Sequence, residues 1–180
     1  MLRDVETILL DEAALANRVH ELGEEISKDF AGEEVMLVGI LKGASIFLSD
    51  LIRQISLPAY IDYMMVSSYG NSAETSGVVR IIKDLEDDIE GKNVIIVEDI
   101  IDTGLTLAYL VQNLQSRHPK TLKICTLLDK PARRLREIEV DYKGFDVPDE
   151  FIIGYGIDYA EKYRNLPFVG ILKREVYDNR

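Results

Sequence analysis

Short apolar runs that alternate with helix-like patterns constrain the fold of this chain most strongly. Apolar runs predict strands at Val35–Leu41, Tyr60–Val66, Val78–Ile82, Asn93–Val97, Leu122–Leu128, Phe151–Ile153 and Phe168–Leu172. Segments with helical spacing separate several of these strands. The first has Asp11 as a candidate N-cap and apolar residues at Leu15, Val19, Leu22 and Ile26. A second helix before Pro58 is suggested by Phe47, Leu51 and Ile55, and a third is predicted over Thr103–Leu114. Strands that are apolar on both faces are typical of parallel sheets covered on both sides. We therefore predict an α/β fold with a mainly parallel central sheet flanked by helices, whose ligands bind at the carboxyl ends of the strands.

The length and the net charge of the chain limit the classes of function that can be expected of it. At 180 residues the chain is expected to form one domain over 1–180. A net charge of −11 disfavours a nucleic-acid or anionic-membrane surface. No apolar run approaches the ~18 residues that span a bilayer, so we expect a cytoplasmic protein. Cys125, the only cysteine, excludes an internal disulfide and is expected to be inert in its strand. An acidic protein that binds a phosphorylated ligand must supply local positive potential.

The segment Val94–Thr106 carries the chemistry. Its order is a β-branched strand, the acids Glu98 and Asp99, a third acid at Asp102, and a Thr-Gly-Leu-Thr turn that leads into a helix. Free N–H groups at a helix start favour a phosphate, and a glycine in the turn permits close approach. Glu98 and Asp99 are better suited to a ribose diol or a divalent metal than to the phosphate itself. The alternative is an ordinary capped helix preceded by solvated loop acids, but that alternative does not explain why the strand, the acids, the Thr-Gly-Leu-Thr turn and the helix follow one another in this order.

This segment resembles the signature of the type I phosphoribosyltransferase family. Further matches point to its members that act on 6-oxopurines; these are Leu41–Gly43, Ser68–Gly70, Leu127–Pro131, Phe151–Tyr159 and Tyr163–Pro167. The blocks follow the order of the family from about Ile8 to Leu172. The resemblance implies a central parallel sheet with a small hood built from the chain ends. It also implies purine salvage, in which the 5-phosphoribosyl group passes from 5-phosphoribosyl-1-pyrophosphate to hypoxanthine or guanine, giving IMP or GMP.

The resemblance also implies which residues bind the phosphoribosyl donor. The expected 5′-phosphate loop comprises Asp102, Thr103, Gly104, Leu105 and Thr106. Glu98 and Asp99 would bind the ribose hydroxyls. Asp102 would be the general base that takes the proton from purine N7.

Three further residues are assigned to the pyrophosphate by the resemblance: Lys42, Gly43 and Arg164. In the family, the loop that matches Lys42-Gly43 often contains a non-proline cis peptide, here between Leu41 and Lys42. An arginine presents a planar fork of donors to phosphate oxygens. The cofactor would be Mg²⁺, and the expected ligands are Glu98, Asp99 and Asp158.

The purine site is expected on the later strands. Lys130 would donate to O6 of the base, which favours hypoxanthine and guanine over adenine because a 6-amino group would leave that donor unpaired. Phe151 would stack on the base, and the main chain of Ile152 and Asp158 would contact its N1 and N2 edge. The polar stretch 67–77, with Ser68 and Tyr69, matches a mobile lid that excludes water.

Alternatives remain at this point. An enzyme of the same chemistry selective for xanthine, adenine or a pyrimidine is one, and a nucleotide-sensing regulator on the same fold is another. A plain α/β interaction domain would leave the Val94–Thr106 motif unexplained. The expected partners are small-molecule substrates, with no nucleic acid and no membrane, and the family resemblance favours a homodimer or a homotetramer.

Overall fold

A computed structural model describes residues 1–68 and 79–178. Within these ranges the strands are β1 (Val5–Leu10), β2 (Val35–Leu41), β3 (Ala59–Ser68), β4 (Val79–Lys83), β5 (Asn93–Ile101), β6 (Thr121–Asp129), β7 (Tyr142–Asp146), β8 (Ile152–Ile153) and β9 (Val169–Leu172). The helices are α1 (Glu12–Asp29), α2 (Ser45–Ile52), α3 (Leu105–Gln115) and the short α4 (Arg174–Tyr177). The predicted strand–helix alternation is confirmed.

The central sheet has six strands in the order β4-β3-β2-β5-β6-β7. All neighbours pair in parallel except β4, which runs antiparallel to β3. Successive side chains of β5 enter different cores: Ile95 packs with α1 and α2, whereas Val94 and Ile96 pack with α3. Both faces of the sheet are therefore covered by helices, as the apolar strands predicted.

Helix α1 begins where its sequence indicates. The side chain of Asp11 accepts a hydrogen bond from the backbone N–H of Ala14 at 2.8 Å, which satisfies one of the free N–H groups of the first turn. The residues predicted to face the core are all buried there: Leu15, Val19, Leu22 and Ile26. Among the residues that the structure describes, no helix combines the length and apolar composition that a membrane crossing requires.

A second, three-stranded antiparallel sheet joins segments that are distant in the chain, in the order β1-β9-β8. Val5 of β1 pairs with Leu172 of β9, and Ile153 of β8 pairs with Gly170 of β9. This is the hood that the resemblance implied. Helix α4 follows β9 directly.

Some boundaries differ from the predictions. β5 continues past Val97 to Ile101, so Glu98 and Asp99 lie within the strand and not after it. α3 begins at Leu105 and not at Thr103, because Gly104 takes a left-handed conformation with φ of 80°. α2 ends at Ile52, before the predicted Ile55.

Three elements were not predicted: β1, α4 and the edge strand β7. β7 contains Gly144, at which a Cβ atom would lie 2.2 Å from the carbonyl oxygen of Leu127. The glycine that weakened the strand pattern is thus what lets β7 approach β6.

Candidate active site

The predicted residues meet at the carboxyl edge of the central sheet. Lys42 follows β2, Asp102 follows β5 and Lys130 follows β6. The backbone N–H of Lys130 donates to the carbonyl oxygen of Ile101 at 2.9 Å, which fixes the ends of β5 and β6 to each other. The peptide bond between Leu41 and Lys42 is cis.

A small cavity of about 130 Å³ lies at the start of α3. Its lining consists of Glu98, Ile100, Ile101, Asp102, Thr103, Gly104, Thr106 and Leu107. The first turn of a helix has N–H groups without intrahelical partners, and the helix dipole makes this end partly positive. Two threonine hydroxyls add donors. The cavity therefore suits the phosphate of a small ligand, and Leu105, the first residue of α3, contributes its main chain next to it.

A larger cavity of about 390 Å³ adjoins it and contains four of the predicted purine-site residues. Its lining is Ile100, Asp102, Lys130, Arg133, Asp149, Glu150, Phe151, Ile152, Ile157, Asp158 and Tyr177. Asp102 borders both cavities. One carboxylate thus lies between a space fit for a phosphate and a space large enough for a planar base.

Asp102 has a neighbour that was not predicted. The Nε atom of Arg133 lies 3.2 Å from Oδ1 of Asp102 and 3.7 Å from Oδ1 of Asp149. The contact with Asp102 lacks hydrogen-bond geometry, so Oδ1 of Asp102 is buried without a hydrogen-bond partner among the described residues. A buried acceptor of this kind usually marks a place where a ligand or water completes the network.

Lys130 is buried, with 7% of its surface exposed. Its Nζ donates to the carbonyl oxygen of Glu150 at 2.7 Å. Burial lowers the pKa of Lys130, and the charge of Asp102 partly opposes that change. An ammonium has three donors, so Nζ retains donors for a ligand in the larger cavity.

Phe151 belongs to an aromatic group that includes residues from the end of the chain. Its ring centroid lies 5.1 Å from that of Tyr159, edge to face, and 5.0 Å from that of Tyr177, tilted by 31°. Tyr177 was not predicted as a site residue. Its only local signal is an aromatic residue near the chain end, and its position depends on the long-range pairing of β1 with β9.

Glu98 and Asp99 are adjacent in sequence, but their side chains have different surroundings. The carboxylate of Asp99 packs against the backbone of Gly43, whereas Glu98 lines the phosphate-sized cavity. Burial raises the pKa of Asp99 to about 6; the N–H of Ile100 and the charge of Arg164 act in the opposite sense, and the charge of Asp158 adds to the increase. Burial, and next the charge of Asp99, raise the pKa of Glu98 well above its usual range.

The predicted magnesium ligands do not form one cluster. In the described part of the chain, no three Asp, Glu, His or Cys side chains lie closely enough to hold a metal ion by themselves. Asp99 and Asp158 are close enough for the charge of one to affect the pKa of the other. Mg²⁺ commonly binds through one or two carboxylates together with substrate phosphate oxygens and water, and these two carboxylates fit such a site. Glu98 lines the phosphate-sized cavity, and its predicted role as a magnesium ligand stays a prediction.

Arg164 and Lys42 are held by acids of the Gly154–Arg164 loop. Nη2 of Arg164 lies 2.8 Å from Oδ1 of Asp158, and Nη1 donates to the carbonyl oxygen of Gly156 at 2.8 Å. Nζ of Lys42 donates to Oε2 of Glu161 at 2.9 Å. Glu161 was not predicted as a site residue, because nothing in its local sequence indicates that it contacts Lys42.

The predicted lid lies mostly outside the described residues. Only positions 67 and 68 belong to β3, where the backbone of Ser68 pairs with Val79 of β4. Tyr69 lies outside the described ranges, and the roles predicted for Ser68 and Tyr69 stay predictions.

Comparison with known proteins agrees with the fold. Residues 6–160 match the model of the phosphoribosyl transferase domain, which is more than half of the chain. The chain belongs to the phosphoribosyltransferase family.

Individual relatives match almost the whole length of this chain. It is 49% identical over 179 residues to the hypoxanthine-guanine phosphoribosyltransferase of Bacillus subtilis, with 99% of each protein covered. A crystal structure of a hypoxanthine phosphoribosyltransferase from Staphylococcus aureus superimposes with a TM-score of 0.96 at 51% identity, covering 99% of this chain and 97% of that one. The chain also matches the bifunctional protein TilS/HprT of Listeria monocytogenes at 50% identity, over 98% of this chain but only 27% of that protein's length.

Proposed function

We propose that this protein is a purine-salvage enzyme that transfers the 5-phosphoribosyl group from 5-phosphoribosyl-1-pyrophosphate to N9 of hypoxanthine or guanine. The products are IMP or GMP and pyrophosphate. The observation that carries the proposal is the position of Asp102 between the phosphate-sized cavity and the cavity that contains Lys130 and Phe151. Two relatives that match over 99% and 89% of their own length carry the name of this activity.

The donor would lie across the phosphate cavity and the loop after β2. Its 5′-phosphate would bind the main-chain N–H groups of Thr103, Gly104, Leu105 and Thr106 at the start of α3, and the hydroxyls of the two threonines. Glu98, on the wall of that cavity, and Asp99 would accept hydrogen bonds from the ribose hydroxyls. The pyrophosphate would bind the main chain of Gly43 and the cations Lys42 and Arg164.

The base would occupy the larger cavity. Lys130 would donate to its 6-oxo group, and the main chain of Ile152 and Asp158 would contact the N1 and N2 edge. Phe151 would contact its face. A 6-amino group in place of the oxo group would leave the buried Lys130 donor unpaired, at a cost of about 1–3 kcal/mol, which disfavours adenine.

Asp102 would move the proton. Its Oδ1 atom is buried and has no hydrogen-bond partner among the described residues, so it can accept the proton from N7 of the base. N9 then forms its bond to C1 of the ribose while the bond from C1 to the pyrophosphate oxygen breaks. The ribose ring acquires oxocarbenium character in that step, and Lys42 and Arg164 would neutralise charge on the departing pyrophosphate.

Asp99 and Asp158 would hold Mg²⁺, together with oxygens of the donor. When bound, Mg²⁺ would stabilise negative charge on the pyrophosphate leaving group. Residues 67–77 would close over the site to exclude water, since an exposed donor would be hydrolysed. We also propose that the chain forms a single domain and acts in the cytoplasm as a homodimer or a homotetramer.

The test is nucleotide formation from 5-phosphoribosyl-1-pyrophosphate and Mg²⁺, with hypoxanthine, guanine, xanthine and adenine supplied separately. We expect magnesium-dependent IMP and GMP formation and weak activity with adenine. A clear preference for xanthine would replace the substrate assignment but keep the reaction. If the protein binds the donor but converts none of the bases, the enzyme proposal fails and a nucleotide-sensing role takes its place.

A further inference from the structure

One carboxylate contacts both cations that are proposed to bind pyrophosphate. Oε2 of Glu161 accepts a hydrogen bond from Nζ of Lys42 at 2.9 Å, and Oε1 lies 3.5 Å from Nη2 of Arg164. Lys42 follows β2, whereas Glu161 and Arg164 lie 119 or more residues further along the chain. Glu161 therefore bridges two cations that are otherwise brought together only by the fold.

The backbone of Glu161 is in an uncommon conformation. Ala160 and Glu161 have φ angles of 50° and 62°, in the left-handed region that few residues other than glycine adopt. Tyr159 and Lys162 close this turn by pairing with each other, and the N–H of Glu161 donates to Oδ2 of Asp158 at 2.8 Å. The turn points the carboxylate of Glu161 back towards the sheet edge, where Lys42 lies.

Arg164 has a hydrogen-bond donor that none of its contacts uses among the described residues. Its Nε atom is buried and has no hydrogen-bond partner within the residues that the structure describes. A guanidinium has five N–H donors, and the contacts of Arg164 with Gly156, Asp158 and Glu161 engage Nη1 and Nη2. An anion with several oxygens, such as a diphosphate, would be a more complete partner for Arg164 than Glu161 is.

We propose that Glu161 is an internal counter-ion, which occupies Lys42 and Arg164 in the free protein and must release them when a diphosphate binds. This inference rests on the proposed function, because the diphosphate is that of the donor or of the product. Glu161 opposes binding in two ways: its ion pairs have to be broken, and its charge repels the incoming anion. It thereby weakens donor binding and also promotes the release of pyrophosphate.

The expected effect is modest, because both partners are largely exposed: 53% of the Lys42 side chain and 65% of the Glu161 side chain are accessible. Ion pairs of that kind are weak. We expect Glu161→Gln to bind magnesium pyrophosphate about two- to fivefold more tightly than the unaltered protein. The amide keeps the shape of the side chain and removes its charge.

Isothermal titration calorimetry on the full chain would test this with two probes, magnesium pyrophosphate and magnesium 5-phosphoribosyl-1-pyrophosphate. Glu24→Gln is the matched control, since it removes one charge from α1, where Glu24 pairs with His20. We expect lower dissociation constants for both probes in Glu161→Gln only, and a lower KM for the donor without a change in the KM for hypoxanthine. Dissociation constants equal to those of the control, or higher, would overturn the inference.

A second variant covers the case in which Glu161→Gln does not fold. Glu161→Asp keeps the charge but shortens the side chain, so it should break the contact with Lys42 and tighten pyrophosphate binding by less than the glutamine variant. Binding comparable to the unaltered protein would again count against the proposal. The two titrations measure binding alone, so they decide the role of Glu161 even if the protein makes no nucleotide, whereas the absence of product defeats only the proposed reaction.

Discussion

Gly43 and Asp99 lie in direct contact: a Cβ atom at Gly43 would be only 1.7 Å from Oδ2 of Asp99. On its other side, the carbonyl oxygen of Gly43 would lie 2.2 Å from a Cβ atom at Gly156. The loop after β2 is thus held between the half-buried carboxylate of Asp99 in β5 and the loop that carries Asp158 and Arg164. No other residue type fits at position 43 without moving one of these groups.

The first prediction concerns Gly43→Ala. The added methyl group would displace either the loop or the carboxylate of Asp99, and small displacements in a reaction site can cost about 100-fold in rate. We expect the KM for the phosphoribosyl donor to rise about 10- to 100-fold, with little change in the KM for hypoxanthine. Steady-state kinetics with each substrate varied in turn would measure this.

Gly32→Ala provides the control for Gly43→Ala. A Cβ atom at Gly32 meets nothing within 4 Å, but φ there is +81°. That variant should lose about 1–2 kcal/mol of stability and keep its donor KM. If Gly43→Ala also keeps the donor KM, the loop after β2 does not bind the donor.

The second prediction concerns Asp102→Asn. The amide cannot take the proton from N7, so kcat should fall about 100- to 10,000-fold while the donor still binds. The control is Asp149→Asn, because Asp149 lines the same cavity and also faces Nε of Arg133 at 3.7 Å. We expect Asp149→Asn to retain most of its activity. Similar kcat values for the two variants would show that Asp102 is not the base.

The third prediction concerns Lys130→Met. Loss of a charged donor costs about 1.5–3 kcal/mol, so the KM for hypoxanthine should rise about 10- to 100-fold. The KM for the donor should change little. Lys143→Met removes a lysine from β7 that pairs with Asp146 at 2.7 Å outside the cavity, and it should behave like the unaltered protein. An unchanged hypoxanthine KM in Lys130→Met would remove Lys130 from the purine site.

The fourth prediction concerns the pH dependence of stability. The carboxylate of Asp62 accepts N–H groups of Tyr63 and Glu86, each at 2.7 Å, and lies 3.3 Å from Nζ of Lys83. Burial alone would raise the pKa of Asp62, but these partners outweigh it and lower the pKa below its ordinary value. Asp62 therefore stabilises the fold above its unfolded pKa, and that stability is lost as the pH falls through the lower folded value.

Asp62→Asn should accordingly lower the free energy of unfolding by about 1–3 kcal/mol at neutral pH. The difference from the unaltered protein should shrink once the pH falls below about 4. Urea denaturation at pH 7, 5 and 3 would measure both effects. A difference that stays constant with pH would mean that the charge of Asp62 is not what stabilises β3 against the segment after β4.

Much of the fold could be predicted because the inner parallel strands β2, β5 and β6 are apolar on both faces. The bounds of β2 were predicted as the structure has them, Val35–Leu41, since its flanking residues are polar or glycine. β7 was not predicted because an edge strand needs little apolar surface. The strand here contains Lys143 and Gly144, which do not indicate a strand. Its position is defined by contact with β6, which no local pattern reveals.

The candidate site also has parts that the sequence predicts and parts that it does not. The phosphate-sized cavity is lined by residues of one short segment, so the pattern in Val94–Thr106 was sufficient to indicate where it lies. That it binds a phosphate stays a prediction. The contacts of Glu161 and Tyr177 join distant parts of the chain, and neither has a motif of its own. The different surroundings of Glu98 and Asp99 were also hidden, because the end of β5 was placed at Val97 and not at Ile101.

The pairing of β1 with β9 has a consequence for synthesis of the protein. Once synthesis has passed β6, the nascent chain contains the residues of the phosphate-sized cavity, but β8, β9 and Tyr177 have not yet been added. The wall that carries Phe151 closes only when residues near position 170 return to pair with those near position 5. The cavity that contains Lys130 and Phe151 is therefore completed last, and we expect a polypeptide still attached to the ribosome to be inactive before translation has passed the hood.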